Sequence, residues 1–99
     1  MLQAKIIMNN KNTLPFIESP LDAIKTIRLF SKDLTQEELK WHFDEEDRII
    51  ISKDPTDWLF QFDNLLPQKI DNEIYIKKGE WHRLIKGSSD LTLIIERIL

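Results

Sequence analysis

Residues 71–86 read "DNEIYIKKGEWHRLIK", and this stretch decides the fold. Ile74 and Ile76 alternate with Tyr75, the pattern of a half-buried strand. Gly79 marks a tight turn, and "WHRLIK" resumes the alternation beyond it. On that second strand His82 shares a face with Glu80 and Leu84, while Trp81, Arg83 and Ile85 lie opposite.

A second stretch upstream has the same character. In "LKWHFDEEDR", residues 39–48, strand alternation puts His42 and Asp44 on one face and Trp41 and Phe43 on the other. Both histidines of the chain therefore follow a tryptophan, in "KWHF" and "EWHR". If the histidine side of each strand is a barrel interior, the two imidazoles meet there. His42, Asp44 and His82 have the composition of a two-histidine, one-carboxylate set. Such a set binds Fe(II), Mn(II), Ni(II) or Zn(II) and leaves coordination positions open. The plainer alternative is that each histidine is a packed or surface residue, and that Asp44 to Arg48 form a solvated loop with local ion pairs.

The rest of the chain reads as short strands. "QAKIIMNN" (3–10) is a short strand ended by a polar run, and Pro15 and Pro20 mark an irregular connection. "AIKTIRLFS" (23–31) alternates, with Ile24, Thr26, Arg28 and Phe30 opposed by Lys25, Ile27 and Leu29. It is read as a strand, with a helix from near Asp22 as the alternative. Thr35 and Glu38 have capping-box spacing for one helical turn. "RIIIS" (48–52) is a strand and "KDPTD" a turn. "WLFQFD" (58–63) sets Trp58, Phe60 and Phe62 on one face, and Leu59, Gln61 and Asp63 on the other. The three aromatics suit core packing better than a dimer interface. "NLLPQKIDN" breaks the pattern at Pro67, and "DLTLIIERIL" (90–99) is the last strand. Strands at roughly 8–12-residue spacing with turn residues between them indicate an all-β sandwich or barrel.

The 99 residues suit one domain, with residues 1–22 an irregular or exchanged segment and 23–98 a barrel. A net charge of -3 with interspersed signs offers no footprint for nucleic acid or for a membrane surface. No apolar run is long enough to span a bilayer. "MLQAKIIMNN" lacks the apolar core of a signal peptide, so a cytoplasmic location is expected. With no cysteine, disulfides, thiolate catalysis and sulfur-ligated metals are excluded. Two glycines, Gly79 and Gly87, cannot build a phosphate-cradling loop. Ser88 and Ser89 follow Gly87 as turn residues without a catalytic role.

From Leu39 onward the chain resembles the cupin superfamily, and more narrowly its small stand-alone, RmlC-like members. The second cupin motif runs Gly, five residues, Pro, any, Gly, two residues, His, three residues, Asn. In "DNEIYIKKGEWHRLIK", Gly79 and His82 match it, while Asp71, Lys77 and Lys86 stand at the first Gly, the Pro and the Asn. The first motif pairs two histidines as HxH, followed by Glu. Here His42 holds the first position, Asp44 the second, and Arg48 stands where the Glu would fall. The resemblance covers residues of about 24–98. It implies a double-stranded β-helix, or jelly-roll barrel, that carries no settled activity and pairs as a homodimer.

By this resemblance a divalent metal (Fe, Mn, Ni or Zn) sits on His42, Asp44 and His82, with Glu46 or Asp47 as a reserve oxygen donor. Arg48, with Glu46 and Gln61, contacts a small polar or anionic molecule. Arg48 itself cannot bind a cation, since guanidinium keeps its proton. It either holds the substrate's carboxylate or pairs with Asp44 and takes the oxygen a metal needs. The first outcome is a divalent-metal-dependent enzyme or metal-binding protein; the second is a metal-free dimeric barrel that binds a small ligand or serves a structural role, without catalysis.

Overall fold

The computed structural model describes residues 14–99; the strand expected within residues 3–10 lies outside them. Among the described residues eight strands follow one another: β1 (Ile17–Pro20), β2 (Lys25–Phe30), β3 (Asp47–Ser52), β4 (Leu59–Phe62), β5 (Gln68–Lys69), β6 (Ile74–Ile76), β7 (His82–Ile85) and β8 (Leu91–Ile98). They form a five-stranded sheet in the order β1-β2-β8-β3-β6 and a three-stranded sheet in the order β5-β4-β7. All pairings are antiparallel.

Period-two burial builds the layers. On β8, Leu91, Leu93 and Ile95 are buried, while Thr92, Ile94 and Glu96 face away. Ile50, Ile74 and Ile76 meet them from the same sheet, and Trp58, Phe60 and Leu84 from the other. Trp58 and Phe60 are almost wholly buried, and Phe62 packs against them, so the three aromatics belong to the core. A large aromatic at every second position fills the narrow space between two sheets better than any aliphatic residue.

Between β2 and β3 the chain makes a single 3-10 turn at Gln36–Glu38. The Thr35 N–H donates to Glu38 Oε1 at 2.9 Å, the return half of the expected capping box. Gly79 has φ +84°, the left-handed conformation that lets the β6–β7 connection reverse tightly. Ser88 donates to the Asp57 carboxylate from both its N–H and its hydroxyl, which fixes the turn after Gly87.

One element departs from the sequence reading. Residues 17–20 were expected to be irregular, yet they form the edge strand β1 against β2, with Ile17 opposite Leu29 and Pro20 opposite Thr26. Pro20 is tolerated because β1 is the edge strand among the described residues, where no further described neighbour needs its missing N–H.

Candidate metal centre

His42 lies in the segment between the 3-10 turn and β3, and one backbone pairing fixes it. The His42 N–H donates to the His82 carbonyl at 3.0 Å, and the His82 N–H donates to the His42 carbonyl at 2.9 Å. Residues directly opposite in an antiparallel pair project to the same face. The two rings accordingly meet edge to face, with centroids 4.3 Å apart. Phe60 stacks against His82 from the core side at 5.3 Å. His82 is buried, whereas His42 sits at the rim with one edge open to solvent.

Both imidazoles are oriented by the carbonyl two residues earlier. His42 Nδ1 lies 2.9 Å from the Lys40 carbonyl, and His82 Nδ1 lies 2.8 Å from the Glu80 carbonyl. A carbonyl only accepts, so each Nδ1 carries the hydrogen and each Nε2 is left for another partner. An outer hydrogen bond of this kind fixes ring and tautomer in histidines that ligate metals.

Asp44 follows His42 by two residues and keeps to the same face. The Gly79 N–H donates to its carbonyl at 3.0 Å, tying this segment to the β6–β7 turn. The carboxylate divides its oxygens: Oδ2 is 3.4 Å from His82 Nε2, and Oδ1 is 3.2 Å from Arg48 NH1. Burial pushes the Asp44 pKa up. The neighbouring His82 ring, the Arg48 guanidinium and His42 outweigh it and leave the pKa below the ordinary carboxylate value. On His42, lost hydration on the pocket side lowers the pKa, the Lys40 carbonyl opposes this, and His82 and Arg28 add to the lowering. His42, Asp44 and His82 each offer a ligand atom within 4.8 Å of the other two. Two neutral imidazole nitrogens and one carboxylate oxygen are a donor set for a divalent ion of borderline hardness.

The other expected site residues go elsewhere. Arg48 reaches the cavity, but Nε and NH2 both pair with Glu46 Oε2, at 3.0 and 2.9 Å, and NH1 pairs with Asp44. Glu46 thus positions Arg48 and does not face the cavity. Asp47 accepts from the Tyr75 hydroxyl and the Lys78 N–H on the outer surface. Gln61 lies on the outward side of β4, accepting from Arg83 Nε at 3.1 Å and donating to the Leu65 carbonyl, so it is not brought to the site. The outward parity of "WLFQFD" already implied this placement.

A cavity of about 530 Å³ opens beside the cluster between the sheets. Phe30, Phe60, Ile76, Leu84 and Leu93 line its depth, and Arg28, His42, Asp44, Arg48 and His82 its polar end. Arg28 went unnoticed in the sequence. Its signal was a cation on the otherwise inward face of Thr26, Arg28 and Phe30.

Comparison with solved structures places this architecture. An RmlC-like cupin family protein with a double-stranded β-helix fold from Methanocaldococcus jannaschii superposes with a TM-score of 0.61 at 10% identity, over 98% of this chain and 92% of that one. This chain has the cupin fold. A cupin domain from Bordetella pertussis gives a TM-score of 0.57 at 13% identity, covering 91% of this chain and 100% of that one. A cupin-2 domain-containing protein from Shewanella frigidimarina gives 0.54 at 16% identity, covering 92% and 85%. No protein-family model and no curated protein sequence matches the chain. Likenesses at these identities establish the cupin barrel and leave its chemistry to the residues present. Among the described residues no helix is long and apolar enough to cross a membrane.

Proposed function

We propose that the protein is a divalent-metal-binding cupin whose barrel takes up a small polar or anionic molecule. His42 and His82 would hold the ion through Nε2, and Asp44 through Oδ2. The observation that carries this reading is the paired tautomer lock: the Lys40 and Glu80 carbonyls engage both Nδ1 atoms and free both Nε2 atoms beside one carboxylate. A bound Fe, Mn, Ni or Zn ion would supply a Lewis acid with open positions toward the cavity. Arg48 keeps Asp44 ionised and turned toward the histidines, while Phe60 and Leu84 exclude water behind them. Metal analysis of protein purified without chelator, set against His42→Ala, tests the reading. Near-stoichiometric metal lost in the variant supports it, and equal trace metal in both contradicts it.

The same barrel pairs as a homodimer through the outer face of its larger sheet. Ile27, Ile94 and Ile51 lie side by side across β2, β8 and β3, with Leu29 and Tyr75 flanking them, on a face that water would otherwise cover. Lys25 and Glu96 are cross-strand partners there, so the patch carries a cation and an anion side by side. A second copy satisfies such a self-complementary face better than a strongly charged partner does.

A further inference from the structure

We infer that Arg28, and not Arg48, is the anchor for a small organic carboxylate with an apolar body, seated in the cavity beside the histidine pair. This names the ligand class for the proposed small-molecule site, and it holds with or without a metal.

The two arginines are equally shielded, each side chain 17% exposed, but they differ in what they have left to give. Arg48 has all three nitrogens engaged by Glu46 and Asp44. Arg28 has one: Nε donates to Glu18 Oε2 at 2.6 Å. Its Cζ lies 4.1 Å above the Phe16 ring, which holds the guanidinium flat, and Phe16 packs on Phe30 at 5.4 Å. Among the described residues nothing accepts from NH1 or NH2. A largely buried guanidinium edge with idle N–H donors is costly unless an acceptor or water meets it. The pair of parallel donors on that edge matches the two oxygens of a carboxylate.

The rest of the ligand follows from the cavity. Phe30, Phe60, Leu84 and Leu93 offer apolar walls inward of Arg28, and the His42–Asp44–His82 end lies across the same space. Asp44 and Glu38 line the same cavity and Glu18 holds Arg28 Nε, acidic neighbours that disfavour a dianion such as phosphate and suit a single negative charge. Arg28 also borders a smaller cleft of about 340 Å³, so its side chain lines both spaces.

Calorimetric titration of benzoate into metal-free protein tests the assignment, with benzamide and inorganic phosphate as comparison probes. Saturable one-to-one binding of benzoate is expected, weakened at least about tenfold in Arg28→Gln and in Arg28→Lys, which keeps the charge and loses the fork. Benzamide should bind at least about tenfold more weakly than benzoate. Should Arg28→Gln fail to fold, Arg28→Lys decides. The inference is overturned by absence of benzoate binding, by unchanged affinity in Arg28→Lys, or by benzamide or phosphate binding as well as benzoate. Because the protein is stripped of metal, failure here leaves metal content untouched, and failure of the metal reading leaves benzoate binding intact.

Discussion

His42 and His82 exchange both backbone hydrogen bonds across one isolated bridge, so two residues forty positions apart present their imidazoles to the same side. The pairing joins the segment before β3 to the start of β7, at the open end of the smaller sheet. Removing either ring leaves this backbone pairing in place, so the site can be emptied by substitution without dismantling the barrel. His42 is the better position to substitute, because it sits at the rim whereas His82 is buried against Phe60.

Arg48 serves two carboxylates at once. Arg48→Ala takes the guanidinium from Asp44 and leaves Glu46 only Arg97 NH1, 3.9 Å away, and a loss of about 3 kcal/mol is expected in urea denaturation. Arg48→Lys should recover only part of it, since an ammonium cannot span both acids in the plane of a guanidinium. Equal stability of Arg48→Ala and wild type would remove Arg48 from the structural account.

The two glycines are required for different reasons. At Gly79 an added Cβ meets nothing nearby, and the cost of Gly79→Ala is the left-handed backbone alone, about 1 kcal/mol. At Gly87 a Cβ would fall on the Asp57 carboxylate and within 2.7 Å of the Trp58 backbone nitrogen. Gly87→Ala must shift the segment bearing the most buried side chain of the core, and a loss of about 3 kcal/mol is expected. Thermal unfolding of both variants checks the order, which reverses if turn geometry matters more than close approach.

Acid should destabilise the metal-free protein in two stages. His42 and Asp44 both have folded pKa values below their unfolded ones, so the unfolded chain takes up protons first in each case. Their contributions are present above the unfolded pKa and are lost as pH falls through the folded value. Stability should therefore begin to fall below the ordinary histidine pKa of 6.5 and fall further below the carboxylate value of 3.8. In His42→Gln the first stage should shrink, and an unchanged profile in that variant would assign it elsewhere.

The outer isoleucine row makes a separate prediction. Ile51→Glu places a charge within the face proposed to pair two copies, next to Ile94, and light scattering should report a shift from dimer to monomer with the barrel still folded. A wild-type monomer, or a dimer unaffected by Ile51→Glu, argues against that interface.

Alternation alone carried much of the fold. The strand at Ile74–Ile76, the strand at His82–Ile85 and the inward run Trp58, Phe60, Phe62 are set by local pattern, and the capping box at Thr35 and Glu38 is local too. The convergence of His42, Asp44 and His82 was legible because each sits at an inward parity. What escaped the reading is pairing across strands. Nothing local ties Glu18 to Arg28, yet their opposition on β1 and β2 decides that Glu18 takes Nε and that, among the described residues, NH1 and NH2 have no acceptor. Nor does spacing tell which acid Arg48 takes, and the structure gives it both Asp44 and Glu46. Gln61 was the reverse case, since its outward parity was visible and its polarity drew it into the expected site regardless.

Joint binding of a divalent ion by His42, Asp44 and His82 is read by inductively coupled plasma mass spectrometry of protein purified without chelator. Wild-type protein should carry close to one equivalent of a first-row divalent metal per chain. His42→Ala should reduce that content to trace levels while the barrel stays folded. Wild-type protein with only trace metal, or a metal content unchanged in His42→Ala, would contradict it.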